Sequence, residues 1–297
     1  VALGVILGSI MQLLVSCIGL FGMGFDYRFK IYWRNKGFRK FLSILPARSL
    51  DQGIDYVNGI VETNLSSRMV AGTIRAYQQA SSLSYVPVSL IGVAISTAAF
   101  PKMAERLGQG RPDLFKKELQ SVLRVIIWLA LPVTAITFLC RGYLISFINN
   151  GGDTLMSSIL GILALAILFR SVYHIAARSF YAQQDTKTPL YISFVAIGLN
   201  IVLAIVFTLV LNMGAYGLAW ASAIVAIVEV SILFFMMSRQ IKGIFDGTFV
   251  HAISRMVIAT GIMTIATYVC VRLFPFQSND HSFFAVFPKF AVIVAIS

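Results

Sequence analysis

Charge is scarce in this 297-residue chain. Only 12% of its residues are Asp, Glu, Lys or Arg, about half the share of an ordinary soluble domain. No polar segment is long enough to fold as a separate soluble domain. Cysteine is scarce as well: Cys17, Cys140 and Cys270 stand alone in or beside apolar runs. Their spacing gives neither a metal-ligand set nor a disulfide framework, which leaves them as small apolar residues of helices. There is no glycine-rich phosphate loop of the nucleotide-hydrolase type, no His-Glu-x-x-His and no nucleophile elbow. ATP-driven transport by this chain and hydrolytic chemistry are therefore not expected, and no catalytic residue or metal site is assigned. The loops are also too short for the polar active site of a membrane-embedded transferase.

What the chain has in abundance is apolar sequence: 58% of it is hydrophobic. Apolar runs of about 20 residues, enough to cross a bilayer core, recur along the whole length. They do not alternate in polarity as membrane strands do. The expected class is all-α, a polytopic helical membrane protein. The net charge of +12 lies mostly in short loops. An excess of Lys and Arg in cytoplasmic loops explains it better than a nucleic-acid partner, and none is expected.

The runs divide into nine spans, at about 1–25, 41–65, 73–101, 122–145, 155–176, 189–211, 216–238, 253–274 and from 283 onward. Basic loops alternate with them. Arg28 to Lys40 follow the first span, Lys102 to Lys117 the third, Arg178 and Lys187 the fifth, and Arg239 and Lys242 the seventh. All these loops fall on one side, which sets the orientation. A short amphipathic helix at Asp113–Leu123 is expected to lie at the interface, and Pro132 to kink the fourth span. The chain opens on Val1 inside an apolar run and ends at Ser297 inside another, which reads as a fragment. Ala2-Leu3-Gly4 and Gly217-Leu218-Ala219-Trp220 form a weak internal echo.

Ionisable groups at membrane depth are candidates for function. Asp51, Asp55, Asn58 and Glu62 share one helix face of the second span, with Arg48 before them. That face lines a wet cavity or ion site, or pairs with bases on neighbouring spans. Arg75 and Ser82 share a face of the third span, and Arg170 and His174 a face of the fifth. Arg170 has three readings: contact with an anionic substrate, pairing with the second-span acids, or a place near the cytoplasmic end. Glu229 is a lone acid in the seventh span, open between function and structural pairing. Asn200 and Ser222 are the other polar residues well inside apolar runs.

The most specific pattern is Ala177-Arg178-Ser179-Phe180-Tyr181-Ala182, two residues, then Asp185-Thr186-Lys187-Thr188-Pro189. Locally it is a polar turn. Asp185 and Thr186 can bond nearby backbone N–H groups, and Pro189 suits a first helical turn. As a pattern it resembles the peptidoglycan lipid II flippase family (MurJ/MviN). Val86-Pro87 through Gly92-Val93-Ala94-Ile95-Ser96-Thr97-Ala98-Ala99-Phe100-Pro101 and Val61-Glu62-Thr63 are similar to two further stretches of that family.

The resemblance implies a fourteen-helix exporter fold of two pseudo-symmetric six-helix lobes plus two helices forming a lipid-facing groove. In those terms residues 1–40 hold the last helix of the N-terminal lobe and a cytoplasmic loop. Residues 41–245 form the C-terminal lobe, and residues 246–297 the groove helices, the last one truncated. The implied function is movement of lipid-linked peptidoglycan precursor between leaflets of the bacterial cytoplasmic membrane by alternating access, among membrane lipids and as a monomer. Glu62, Asn200 and Ser222 resemble the family's cation site, for Na+ or H+ as coupling ion, with no other cofactor. Glu62 stands where Asp is usual, and Ala204 where a further acid is common. Ser81-Ser82 replaces an Asp-Arg pair, and Arg75 is the candidate stand-in. The substrate-cavity candidates are Arg48, Arg75, Ser82 and Arg170, with Asp51, Asp55 and Glu229 as cavity acids. Alternatives are a flippase for another lipid-linked glycan, a drug/cation antiporter of the same superfamily, and a scaffold with a degenerate cavity.

Overall fold

The computed structural model describes residues 2–20, 38–39, 42, 56–148, 153–241, 243–273 and 283–296. Among them are helices and turns and no strand. The chain forms two compact units, Val1–Pro46 and Ala47–Ser297. The first contains helix α1 (Ala2–Leu20), which carries no charged residue.

The second unit opens with α2 over residues 56–67. A turn leads to α3 (Thr73–Pro87), a π-helical segment Val88–Val93, and α4 (Ala94–Gly108). Then come α5 (Pro112–Leu139), the short α6 (Arg141–Ser146), and α7 (Thr154–Ala182). Helix α8 (Lys187–Ile205) runs into a second π segment, Val206–Val210. Helices α9 (Ala215–Gln240), α10 (Gly247–Leu273) and α11 (Phe283–Ile296) complete the described chain.

Six helices among the described residues are long and apolar enough to span a bilayer. They correspond to the third through eighth spans read from the sequence. The first and ninth positions hold the apolar helices α1 and α11. Of the second span, only its latter part, α2, lies within the described residues.

Burial ranks the spanning helices. The buried share of the most apolar stretch is 56% in α7 and 50% in α9, but 11% in α10. Helix α7 is thus the centre of the unit, and α10 presents Val257, Ile258, Ile262 and Ile265 to its surroundings. In a bilayer this exposed apolar side costs nothing, because lipid tails are as apolar as the side chains. The order of α7 begins locally. Asp153 accepts a hydrogen bond from Met156 N at 3.1 Å, capping the first turn. Met156, Ile159, Leu160, Leu163 and Ile167 then recur at helical spacing and are buried.

Helix α5 corrects two boundaries. The segment Asp113–Leu123, expected as a separate interfacial helix, is instead the start of α5, which continues through Pro132 to Leu139. No breaker interrupts the buried stripe Phe115, Leu119, Leu123, Ile126, so the amphipathic turn and the spanning helix share one face. The fourth span also ends earlier than expected, at the break around Cys140 before α6.

The turn Gln183–Thr186 connects α7 to α8. Gln184 takes φ 62°, a left-handed conformation unusual for a non-glycine residue. Asp185 Oδ1 accepts from the backbone N–H groups of Lys187 and Thr188, at 3.1 and 3.0 Å. Its Oδ2 accepts from Thr188 Oγ1 at 2.6 Å and from Gln240 Nε2 of α9 at 3.4 Å. Partial burial pushes this carboxyl up. The hydrogen bonds from the Thr188 side chain and backbone, Gln240 and Lys187 outweigh that and hold it below the ordinary carboxylate range.

Candidate functional site

Five helices bring polar side chains together in the interior of the second unit. On α2, Asn58 and Glu62 are one turn apart, and Asn58 Nδ2 donates to Glu62 Oε1 at 3.1 Å. Asn200 Nδ2 of α8 donates to the same oxygen at 3.4 Å. The Tyr77 hydroxyl of α3 is a further polar neighbour of the Glu62 carboxylate, with Ser81 one turn along the same helix. The guanidinium of Arg170 on α7 acts on Glu62 as the opposing charge. Arg170 Nη2 donates to Ser222 Oγ of α9. Glu62, Asn200 and Ser222, read separately from the sequence, are therefore members of one cluster. Arg170 acts on Glu62 through its field and bonds Ser222, and the two charges form no direct ion pair among the described residues.

The cluster is rich in acceptors. Asn58 Oδ1 and Asn200 Oδ1 are both buried with no hydrogen-bond partner among the described residues. Buried carboxamide oxygens ordinarily find a partner. Both amides turn their nitrogens to Glu62 Oε1, which leaves these two oxygens as the unmet acceptors of the cluster. No group of three or more His, Cys, Asp or Glu that would hold a metal ion occurs among the described residues. Ala204 is buried in an apolar cluster that also contains Leu65, Tyr77 and Leu218, so that position adds no ligand.

A second polar layer lies seven residues further along α8 and α9, about 10 Å at the helical rise. Tyr173 Oη and Ser193 Oγ are 3.0 Å apart, and Ser193 Oγ donates to Glu229 Oε1 at 3.2 Å. Glu229 is thus engaged in the bundle with Ser193. His174 packs edge-on against the Tyr173 ring, with centroids 5.6 Å apart.

One more turn toward the basic side, Arg178 reaches across to the α3–α4 helix. It donates to Val93 O at 3.4 Å, to Thr97 Oγ1 at 2.7 Å, and to Ser96 Oγ. Nearby, Gly92 of the π segment lies so close to α7 that a Cβ there would stand 2.6 Å from Ser171 Cα. The hinge stretch and the Gly92–Pro101 stretch, which carry the resemblance independently in the sequence, meet here.

Arg75 and Ser82 are exposed and stand apart from the Glu62 cluster. Arg75 lines a cavity of about 470 Å³ with Ser66, Gly72, Gln78 and Gln79. Ser82 lines an adjoining one of about 440 Å³ that shares Gln78 and Gln79. Arg48, Asp51 and Asp55 lie outside the described residues. The sequence reading missed Tyr77 and Ser193 as site residues. The signal for Tyr77 was its position four residues before Ser81, in a stretch otherwise made of small and polar residues.

The family model described as lipid II flippase MurJ matches residues 1–287. Relatives named probable lipid II flippase MurJ include those of Borreliella burgdorferi, 25% identical over 80% of this chain and 48% of that protein, and Rhizobium meliloti, 23% identical over 93% and 52%. The Haemophilus influenzae relative of the same name is 27% identical over 78% and 48%. The chain spans about half the length of these curated relatives. Among solved structures, a lipid II flippase MurJ in an inward closed conformation superposes with a TM-score of 0.71 at 24% identity, over 98% of this chain and 59% of that one. An outward-facing multidrug resistance MATE family transporter gives 0.58 at 13% identity, over 75% and 51%.

Proposed function

This chain belongs to the lipid II flippase MurJ family, and we propose that the whole protein moves lipid-linked peptidoglycan precursor from the inner to the outer leaflet of the bacterial cytoplasmic membrane. The observation that carries this reading beyond family membership is the charged cluster of Glu62 and Arg170, held by five helices inside an apolar bundle. Charge at membrane depth is costly and is a mark of transport paths.

The physical task is to pass a charged pyrophosphate through a low-dielectric layer. Arginine suits it, because a guanidinium fork matches phosphate oxygens and keeps its charge. Arg170 is committed to Ser222 and to the field of Glu62. A monovalent cation, Na+ or H+, would be held by the Glu62 carboxylate with the free oxygens of Asn58 and Asn200. It would supply a positive charge that competes with Arg170 for Glu62. Arg170 is then released toward an anionic head group. Arg75, lining the outer cavity, offers a second cation along the route. Ser222 changes role in this scheme, from cation ligand to resting partner of Arg170. The lipid tail remains in the bilayer throughout, and the lobes rock to give alternating access.

The test uses the full-length protein in cells depleted of their own flippase. Restored growth, with precursor accessible in the outer leaflet, is the expected result for the wild type. Arg170→Gln and Arg75→Glu are expected to trap precursor inside. A wild-type protein that leaves precursor in the inner leaflet and changes only drug sensitivity would overturn the flippase reading in favour of an antiporter.

A further inference from the structure

The face of the second unit opposite the basic loops holds a cavity of about 670 Å³ among the ends of α5, α7 and α9. Phe138, Arg141, Ser158, Asn212, Tyr216 and Trp220 line it. The loop before α5 carries Lys102, Arg106, Arg111, Lys116 and Lys117, so the far end of α5 is the outer end. Arg141 stands at that end, away from the basic loops, as Arg68, Arg75 and Arg272 do at the ends of their own helices.

Three observations show that the arginine is built into the cavity. First, Gly161 of α7 leaves space for it, since a Cβ there would stand 2.8 Å from Arg141 Cδ. Second, the guanidinium is oriented. Nη1 donates to Phe138 O at 2.7 Å, and the group stacks over the Phe138 ring, 5.2 Å from its centroid. Third, only Nη1 is used. Among the described residues Nη2 and Nε make no hydrogen bond, and no carboxylate pairs with the charge. Asp153, the acid at the same end, is turned to cap α7 through Met156 N. The result is a positioned cation with free donors and no paired anion among the described residues.

The rim specifies the kind of anion. Tyr216 and Trp220 are 39% and 37% exposed, and such rings settle at the headgroup level of a bilayer. The volume is that of a small-molecule site, larger than a phosphate alone requires. We propose that this cavity binds the phosphodiester headgroup of an anionic glycerophospholipid from the outer leaflet, with Arg141 as the anion ligand and Tyr216 and Trp220 flanking the glycerol region. The site lies apart from the Glu62 cluster and is independent of the transport reading.

The test uses full-length protein, stripped of lipid in detergent and titrated with phosphatidylglycerol while bound lipid is counted by native mass spectrometry. Phosphatidylcholine and inorganic phosphate are the controls. Wild-type protein is expected to retain phosphatidylglycerol over phosphatidylcholine. Arg141→Gln is expected to weaken that binding about tenfold, the scale of a charge-assisted hydrogen bond to phosphate. Gly161→Ala keeps the charge but displaces the arginine, and is expected to weaken binding as well. Unchanged phosphatidylglycerol binding by folded Arg141→Gln overturns the proposal. So does equal retention of phosphatidylcholine, or displacement of the lipid by millimolar inorganic phosphate, which would mark a free-anion site. If Gly161→Ala fails to fold, Arg141→Gln, whose change lies at the cavity surface, decides alone.

Discussion

Arg178 of α7 donates to Thr97 Oγ1 of α4 at 2.7 Å, tying the stretch before the α7–α8 turn to the one that follows the first π segment. The same guanidinium also reaches Val93 O and Ser96 Oγ. Its fork therefore bridges two helices with three acceptors, a role a lysine cannot fill. Both Arg178→Ala and Arg178→Lys are expected to lower stability in detergent by about 2 kcal/mol, the scale of charge-assisted hydrogen bonds. Thermal unfolding of the two variants side by side checks this. Full rescue by Lys would show that charge alone, and not the fork, holds the pair.

Gly92 and Gly198 should respond oppositely to alanine. At Gly92 a methyl group meets the Ser171 backbone, and overpacking of this kind costs about 1–3 kcal/mol. At Gly198, inside α8, nothing lies within 4 Å of the added atom. Alanine there gains about 0.5–1 kcal/mol from helix propensity. Opposite shifts in unfolding temperature are the expected outcome.

The Glu62–Arg170 relation is open to a double-mutant cycle. Removing either one takes away the opposing field at the other, and each of Glu62→Gln and Arg170→Met is expected to cost about 1–3 kcal/mol, the scale of a lost hydrogen bond to a charged group. The double variant should cost less than the sum of the two. Strict additivity in unfolding measurements would mean that the two charges do not sense each other.

Asp185 sets an acid limit at the α7–α8 turn. Its folded carboxyl lies below the ordinary value of 3.8. Its contribution to stability is therefore fully present above that value and is lost as pH falls through the lower, folded one. Asp185→Asn should flatten the acid side of a stability–pH profile and leave the neutral side lower by a constant amount. An unchanged acid limb would assign that limb to other carboxylates.

How much of this was legible in advance depends on whether the physics is local. The turn at Asp185 could be read because its hydrogen bonds reach only two or three residues. The spanning helices could be read from length and hydropathy. The union of Glu62, Asn200 and Ser222 was reached through resemblance alone, since nothing in their spacing joins residues on three separate helices. The contact of Arg170 with Ser222, and the bridge from Arg178 to Thr97, depend on how α7 is rotated in the bundle. An apolar helix with polar residues on more than one face does not encode that rotation. The extension of α5 back to Pro112 was misread because a run of charged and apolar residues is equally compatible with a helix lying on the membrane and one entering it.

The closeness of Gly92 to Ser171 has a mechanical side. The helical stretch Thr73–Gly108 is 36 residues long, about 54 Å at 1.5 Å per residue. Gly92 falls near its middle, roughly 28 Å from the outer end and 24 Å from the inner. A contact with no side chain between the two backbones makes a narrow fulcrum, and the stretch is then a lever balanced on α7. Tilting it by ten degrees swings the end that carries Arg75 through about 5 Å, close to one helical turn, and moves the Lys102 end by nearly as much in the opposite direction.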